Sequence, residues 1–305
     1  MLGSSLPAEA KPRPPKGPAK VQAVRLSLWT GPGSGDPVDD FQVKLGGVPA
    51  PVASVRRPGD ELLLLVVLDL VDDIALVDPA RSALIAELGK LPEEVYVALV
   101  RAQDGMNVLV DPTNDHDALA AAVQKLTVSG RAGLLDALEP VGDLANSILE
   151  KADVRTAILF VTDSDIRNYR DDYTNPVINS SDYRDLSRRF PEGLIQEKIS
   201  KLDTKMASVL APMFILHLDY RSDRLNEAYQ TGLKRLAVTT GGDSLFCRTI
   251  AEIPGGMTQM FASIGSLRML TIDATTSGNR ALDVEISREG SSGGDLHYRP
   301  RLVLR

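Results

Sequence analysis

The feature that most constrains this chain is an unbroken apolar run, Leu62 to Leu68, that ends in Asp69. A second segment of the same kind, Ala157 to Thr162, ends in Asp163. Strands that are apolar along their whole length are typical of the centre of a parallel sheet, where helices cover both faces. We therefore predict that the two segments are neighbouring parallel strands whose acidic ends share one edge of the sheet.

Helical and strand patterns alternate along the middle of the chain. We expect further strands over 95–100, 107–110, 157–162, 213–218 and 245–247. We expect helices over 79–90, 115–126, 134–150, 195–209, 225–236 and 253–264. Pro79 is placed near the first turn of its helix, Asn114 or Asp115 is a candidate N-cap, and Gly241-Gly242 stops a helix. This alternation predicts an α/β fold: a doubly wound, mostly parallel, Rossmann-like sheet with helices on both faces.

The two ends of the chain have a different texture. Residues 21–57 and 266–305 contain short strand patterns separated by glycine-rich turns, with no helical period between them. Neither segment has enough strands to be stable alone, so we expect them to pack together as a small β unit. The predicted organisation is a flexible Pro- and Lys-rich tail at 1–20, β segments at 21–57 and 266–305, and a main domain at 58–265.

Composition and charge limit the partners of the chain. The net charge is −7 and the pI is about 5.1, which disfavours a general nucleic-acid binder because such proteins need a basic face. The longest apolar run is far shorter than the ~20 residues of a transmembrane helix. The first 20 residues lack the apolar core of a signal peptide. The single cysteine, Cys247, excludes an internal disulfide and leaves the compartment open.

Four segments, taken in order, resemble a known family. They are Phe41 to Pro49, Leu65 to Asp69, Ile158 to Asp163, and the Leu-Ala-Val-Thr-Thr-Gly-Gly stretch that runs from Leu236 to Phe246. Their order is similar to that of bacterial von Willebrand factor A-related proteins of the acidobacterial type, over roughly residues 21 to 305. The resemblance implies a non-enzymatic, adhesion-type module that binds a protein partner at the C-terminal edge of its sheet. It also suggests a location in the cell envelope or outside the cell.

The resemblance further implies a metal-ion-dependent adhesion site, with the pattern Asp-x-Ser-x-Ser, then a Thr, then an Asp. Asp69 and Asp163 match the two aspartates. Val71, Asp73 and Ala132 stand where the family has two serines and the threonine. Mg²⁺ prefers oxygen ligands and keeps an open position for a partner's carboxylate, so the loss of hydroxyl ligands makes this a degenerate site.

Two interpretations of the acidic residues remain open. In the first, clustered carboxylates hold a weakly bound Mg²⁺ or Ca²⁺, because their mutual repulsion favours a cation. The metal ligands would be Asp69, Asp73 and Asp163, with Asp72 or Asp165. In the second, no cofactor binds, Arg131 or water balances the charge, and the aspartates cap turns or helices.

A polar segment, 165–189, follows the second buried strand and should lie beside the same edge. It mixes tyrosines and arginines, which are enriched in interface hot spots. The predicted partner-binding residues are Arg167, Tyr169, Arg170, Tyr173 and Tyr183. The alternative is a solvated loop whose tyrosines pack back onto the sheet.

No catalytic residues are predicted. The sequence has no nucleophile elbow, no HExxH motif and no glycine-rich phosphate loop after the first buried strand. The enzyme alternative is Mg²⁺-dependent phosphoryl transfer or hydrolysis that uses Asp69, although Val71 occupies the place of the second aspartate of an Asp-x-Asp motif. A further alternative is a structural scaffold with a vestigial pocket.

Overall fold

The computed structural model describes residues 20–31, 40–71, 73–128, 130–169, 191–276, 281–288 and 296–303. Its strands are β1 Lys20–Thr30, β2 Phe41–Leu45, β3 Val48–Ala50, β4 Val52–Arg56, β5 Leu62–Asp69, β6 Val95–Arg101, β7 Asn107–Thr113, β8 Arg155–Thr162, β9 Met213–His217, β10 Ser244–Phe246, β11 Arg268–Thr276, β12 Ala281–Arg288, β13 Leu296–Tyr298 and β14 Arg301–Val303. Its helices are α1 Ile74–Leu88, α2 His116–Lys125, α3 Leu134–Lys151, α4 Pro191–Met206, α5 Arg224–Thr240 and α6 Ile253–Gly265.

A six-stranded sheet in the order β10-β9-β8-β5-β6-β7 forms the centre of the fold. Strands β5 and β8 are parallel neighbours, with Asp69 opposite Thr162. The backbone N–H of Asp163 donates to the carbonyl of Asp69 at 3.3 Å. The prediction that the two acidic strand ends share one edge is therefore confirmed.

Helices cover both faces of this sheet. The buried residues of α3, α4 and α5 pack on one face, and those of α1, α2 and α6 pack on the other. Both β5 and β8 are buried along their whole length, which explains their continuous apolar patterns. The predicted fold class, a doubly wound and mostly parallel α/β sheet with a small β unit, is confirmed. Within the described residues, no helix has the length and apolar character needed to cross a bilayer.

Strand β7 differs from its prediction. The sequence predicted a short apolar strand over 107–110, whereas β7 runs to Thr113 and is mostly exposed. It pairs antiparallel with β6 at the edge of the sheet. The reason is the short connection from Arg101 to Asn107, which has no room for the crossover helix that a parallel neighbour requires.

Helix α1 also differs, because it begins at Ile74 rather than near Pro79. The side chain of Asp73 caps this helix by accepting the N–H of Ala75 at 2.8 Å. Pro79 therefore lies inside the helix rather than at its start. Two other helix limits are confirmed: Asp115 is the N-cap of α2, and Gly241 ends α5 in the left-handed conformation, with φ of 90°.

Two four-stranded antiparallel sheets, β13-β1-β11-β4 and β14-β12-β2-β3, pair strands from both ends of the chain. Alternate side chains of these strands form a third core, which includes Leu26, Val43, Leu270 and Leu302. The last strand pattern of the sequence divides into β13 and β14, which belong to different sheets. The domain limits at residues 58 and 265 stay a prediction.

Two buried side chains join this β unit to the main domain. Trp29 donates from Nε1 to the carbonyl of Gly241 at 2.8 Å and stacks on His297 with ring centroids 4.1 Å apart. Arg299 is 1% exposed and donates to the carbonyls of Val209 at 2.9 Å and Ala207 at 2.5 Å. Burial lowers the pKa of Arg299 to about 10, so the side chain stays charged at neutral pH.

We expect the Arg299→Ala substitution to destabilise the protein by about 3 kcal/mol, because it leaves buried carbonyls without their donors. The matched control is Arg301→Ala, since the side chain of Arg301 is largely exposed and pairs with the equally exposed Asp283. This control should stay within about 0.5 kcal/mol of the parent. Urea unfolding midpoints measure both. Equal midpoints for the two variants would show that Arg299 does not hold the two parts together.

Candidate functional site at the C-terminal edge of the sheet

Asp69 lies at the end of β5 and is fully buried. Its Oδ1 accepts the backbone N–H of Gly133 at 2.8 Å. Its Oδ2 accepts the hydroxyls of Ser164 at 2.8 Å and Thr162 at 3.1 Å. Burial raises the pKa of Asp69 above its ordinary value, and the three donated hydrogen bonds oppose that rise. Both carboxylate oxygens are therefore occupied by donors of the protein itself.

Gly133 is the residue that brings helix α3 to Asp69. It precedes the first residue of α3, so its N–H belongs to the positive end of the helix and favours a nearby carboxylate. A Cβ at this position would lie 1.9 Å from the carbonyl oxygen of Ala102. A glycine is thus required for the helix to approach the end of β6 this closely.

Asp163 holds the loop between β5 and α1. Its Oδ1 accepts the N–H of Val71 at 2.7 Å, and its Oδ2 accepts the N–H of Asp73 at 3.1 Å. The carboxylate of Asp73 turns to the N-terminus of α1 instead and is exposed. The structure thus brings Asp69 and Asp163 to neighbouring strand ends, while Asp73 caps its own helix.

The donor set does not fit a divalent cation. Asp69 already accepts three hydrogen bonds, and the side chains of Val71 and Ala132 have no ligand atom. Among the residues that the structure describes, no group of three or more His, Cys, Asp or Glu side chains is arranged to hold a metal ion. Asp72 lies outside these residues. The predicted Mg²⁺ or Ca²⁺ site stays a prediction, and no step of the proposed function depends on it.

His217, at the end of β9, fixes the loop that carries Ser164. Its Nε2 lies 2.9 Å from the carbonyl of Ser164, and its Nδ1 accepts the N–H of Asp219 at 3.2 Å. These partners assign the proton to Nε2. Burial lowers the pKa of His217 to about 4, so the ring is neutral at physiological pH. His217 therefore acts as a structural donor in this site.

The sequence predicted that Tyr169 lies on an exposed binding loop, but the structure buries this residue. Its side chain is 1% exposed, and its hydroxyl accepts the N–H of Leu135 at 3.3 Å. Its ring packs against that of Tyr229, with centroids 5.9 Å apart. The physical reason is the apolar core beneath the edge, which gains a large ring when the tyrosine folds inward. Burial raises the pKa of Tyr169 well above its ordinary value.

The other predicted partner-binding residues cannot be placed. Arg167 belongs to the short 3₁₀ helix Ile166–Tyr169, but its side chain lies outside the described part of the structure. Arg170, Tyr173 and Tyr183 lie entirely outside the described residues. Their role in binding stays a prediction.

Four exposed or half-exposed side chains at the same edge form a surface that we name the rim patch: Ile74, Tyr220, Arg248 and Ile250. Ile74 is 65% exposed and Ile250 is 46% exposed. The guanidinium of Arg248 lies 5.0 Å from the ring centroid of Tyr220. The N–H of Tyr220 donates to the carbonyl of Cys247 at 2.7 Å, which joins the loops after β9 and β10. Helix α1, which begins at Ile74, contacts the 3₁₀ turn Ile250–Glu252.

Charge beside the rim patch is balanced by a half-exposed arginine. Arg221 forms ion pairs with Asp165 at 3.0 Å and with Asp219 at 2.6 Å.

On the other side of the edge, Ala132 and Arg131 line a cleft of about 430 Å³, together with Asp104, Met106, Asp136 and Asn168. Arg131 donates its backbone N–H to Asp104 at 2.9 Å. The charge of Asp69 is met by Gly133 and two hydroxyls, rather than by Arg131 as one sequence interpretation had it.

Sequence reasoning missed Ser164 and Thr162 as partners of Asp69. The signal was present, because two hydroxyl residues alternate with carboxylates in the stretch Thr162-Asp163-Ser164-Asp165. Hydroxyls beside a buried aspartate at a strand end can donate to it as readily as they can bind a metal. Only the close pairing of β5 and β8 shows that they donate.

Neither a protein-family model nor a curated protein matches the chain. Similar solved structures include a von Willebrand factor type A protein from Catenulispora acidiphila, with 10% identity and a TM-score of 0.47 over 90% of this chain and 75% of that one. The vWF domain of the type V pili tip protein Mfa5 from Porphyromonas gingivalis has 15% identity and a TM-score of 0.47, over 67% and 95%. The SpRpn10 VWA domain has 14% identity and a TM-score of 0.41, over 65% and 93%. No family membership, partner or activity of this chain follows from these similarities.

The raised pKa of Asp69 predicts a sign for the pH dependence of stability. A carboxyl group whose pKa is higher in the folded state favours folding while it is protonated. This advantage is lost as the pH rises from its ordinary value of 3.8 through the raised one. The free energy of unfolding of the parent, relative to that of Asp69→Asn, should therefore fall with rising pH in this window.

Urea unfolding of both proteins at several pH values measures the difference, and titrating groups that do not interact with Asp69 cancel in the comparison. The substitution itself should be destabilising at every pH, because an amide nitrogen then faces N–H and O–H donors. A difference that increases with pH would contradict the raised pKa, because it would mean that the donated hydrogen bonds outweigh burial.

Proposed function

We propose that this chain is a non-enzymatic protein-binding module that presents its ligand surface at the C-terminal edge of the central sheet. One observation carries the proposal. The acidic groups at this edge are used for internal hydrogen bonds, whereas the rim patch beside them leaves two isoleucines, a tyrosine and an arginine accessible. The carboxylates of Asp69 and Asp163 thus bind groups of the protein itself, whereas the rim patch is exposed to a partner.

The composition of the rim patch favours a protein partner. Tyrosine and arginine are enriched at the energetic centres of protein interfaces, where their large side chains become desolvated. Scattered apolar side chains are normal on a surface. In this chain, however, Ile74 and Ile250 belong to elements in contact, and Ile250 follows Arg248 of the stacked Tyr220–Arg248 pair by two residues. A partner that covers them removes apolar area from water at roughly 25 cal/mol per Å².

The same geometry weighs against the enzyme alternative. A nucleophilic or metal-binding Asp69 would need an oxygen that faces the substrate, but its side chain is buried and both oxygens accept hydrogen bonds. Opening the site would break the contacts between β5, β8 and the start of α3. The scaffold alternative differs from our proposal only in whether the rim patch binds a partner.

We expect the substitution Ile250→Asp to abolish capture of the partner without lowering the melting temperature, because a charge would be buried in the interface. The matched control is Val238→Asp, since Val238 on α5 is 45% exposed, close to the 46% of Ile250. Tagged parent and variants are incubated with lysate from the native host, and the bound proteins are quantified by mass spectrometry. A specific partner is one that the parent and the control retain and the Ile250 variant loses. Identical sets of bound proteins for all three would contradict the rim patch as the binding surface.

The role of metal is tested separately in the same capture assay. We expect equal capture with and without EDTA, because Asp69 is satisfied by protein donors and the rim patch contains no carboxylate. Calorimetric titration of the purified chain with Mg²⁺ and Ca²⁺ provides the direct control. Loss of capture in EDTA, with binding heat that Asp69→Asn removes, would restore the metal-dependent interpretation.

A further inference from the structure

We propose that a small pocket at the N-terminal edge of the central sheet binds a small monocarboxylate, such as acetate, through the buried guanidinium of Arg155. This inference is independent of the proposed function. Arg155 and Leu62 begin β8 and β5, whereas the rim patch lies at the opposite, C-terminal edge of the sheet. The pocket has a volume of about 80 Å³. Arg155 lines it together with apolar residues that include Leu62, Leu64, Phe261 and Ile264.

Arg155 is a buried cation whose hydrogen bonding is incomplete. It is 2% exposed. Its Nη1 donates to the carbonyl of Leu267 at 2.9 Å, and its Nη2 donates to the carbonyl of Asp60, a residue that also lines the pocket. Its Nε is buried and has no acceptor among the described residues. A guanidinium carries five N–H groups, so these two bonds leave three of them without a described acceptor.

The charge of Arg155 forms no ion pair within the described part of the chain. The carboxylate of Asp60 attracts it without contact and accepts the N–H of Arg57 at 2.7 Å. Arg268, which is also 2% exposed, is a second cation that repels it. Burial lowers the pKa of Arg155 to about 10, so the side chain stays charged at neutral pH. A buried charge is unfavourable unless an opposite charge and further hydrogen bonds compensate it.

Arg299 shows how the same fold satisfies a buried arginine completely. It is 1% exposed, and each of its three nitrogens donates to a backbone carbonyl, those of Arg301, Val209 and Ala207. The two arginines are thus equally buried, but of the two only Arg155 has a nitrogen without an acceptor. A ligand in the pocket that Arg155 lines would provide the acceptors that the chain does not.

The size and charge of the pocket favour a small carboxylate. Its volume is roughly half of the ~150 Å³ cavity that holds one benzene molecule, so it has room for about four non-hydrogen atoms. A carboxylate presents two oxygens that match the N–H groups of a guanidinium, and the apolar walls accommodate a methyl group. Two acidic residues, Asp60 and Glu94, also line the pocket and disfavour an anion with two charges. Acetate is the simplest monoanion that meets these conditions.

An NMR titration of the full chain with acetate tests the proposal. At constant ionic strength, we expect a saturable shift of the Arg155 Nε–H signal with roughly millimolar affinity, the range for so small a ligand. Acetamide has the same shape without the charge and should bind about tenfold more weakly. Sulfate should also bind more weakly, because its second charge is repelled by the acidic residues of the pocket. The Arg155→Lys substitution removes the Nε–H signal and so assigns it.

Two conservative substitutions locate the bound acetate and leave Arg155 intact. Glu94 is exposed and lines the pocket, so Glu94→Gln should tighten acetate binding about threefold by removing a like charge. Glu93 is exposed and does not line the pocket, so Glu93→Gln is the matched control and should leave the affinity unchanged. No saturable shift with acetate would show that only water occupies the pocket and would overturn the proposal. Equal affinities for acetate and acetamide, or equal effects of the two substitutions, would overturn it as well.

Discussion

The C-terminal edge of this protein depends on one buried negative charge, the carboxylate of Asp69. A carboxylate removed from water is strongly unfavourable unless donors replace its hydration. Asp69 obtains three, and they come from different parts of the chain: the residue before α3, the end of β8, and the loop after β8. The need to satisfy this charge therefore fixes β5, β8 and α3 relative to one another. It also explains why Gly133 closely approaches the end of β6.

A buried carboxylate can be satisfied by a cation or by hydrogen-bond donors, and the choice decides what the edge can do. A bound cation with an open position attracts an anionic group of a partner. Hydroxyls and backbone N–H groups leave no net positive charge to attract it. In this chain Val71 and Ala132 offer no ligand oxygen from their side chains, while Ser164 and Thr162 turn towards Asp69. In the proposed binding mode, recognition depends on shape and on the apolar and aromatic groups of the neighbouring loops.

Several elements were predictable because their signals are local or periodic. The continuous apolar patterns of β5 and β8 require helices on both faces, which led correctly to a parallel sheet and to adjacent strand ends. Asp115 and Gly241 act through their own backbone neighbourhood, so their capping roles were readable as well. The predicted start of α1 was wrong because Pro79 was taken as a first-turn residue, whereas Asp73 caps the helix further upstream. The strand predicted over 107–110 is present, but its extension to Thr113 and its exposed edge position were not predicted, because the apolar pattern covers only its first part.

The sequence by itself determined the fold class and named Asp69 and Asp163 as neighbours, because hydrophobic periodicity depends only on the order of residues. The tertiary structure alone decided what these carboxylates bind, that Tyr169 is buried, and which side chains remain exposed at the edge. Each of these depends on atoms that are distant in the chain and on how much water the packing excludes. A buried charge is stable only with its particular donors, and the identity of those donors is set when β5, β8 and α3 meet.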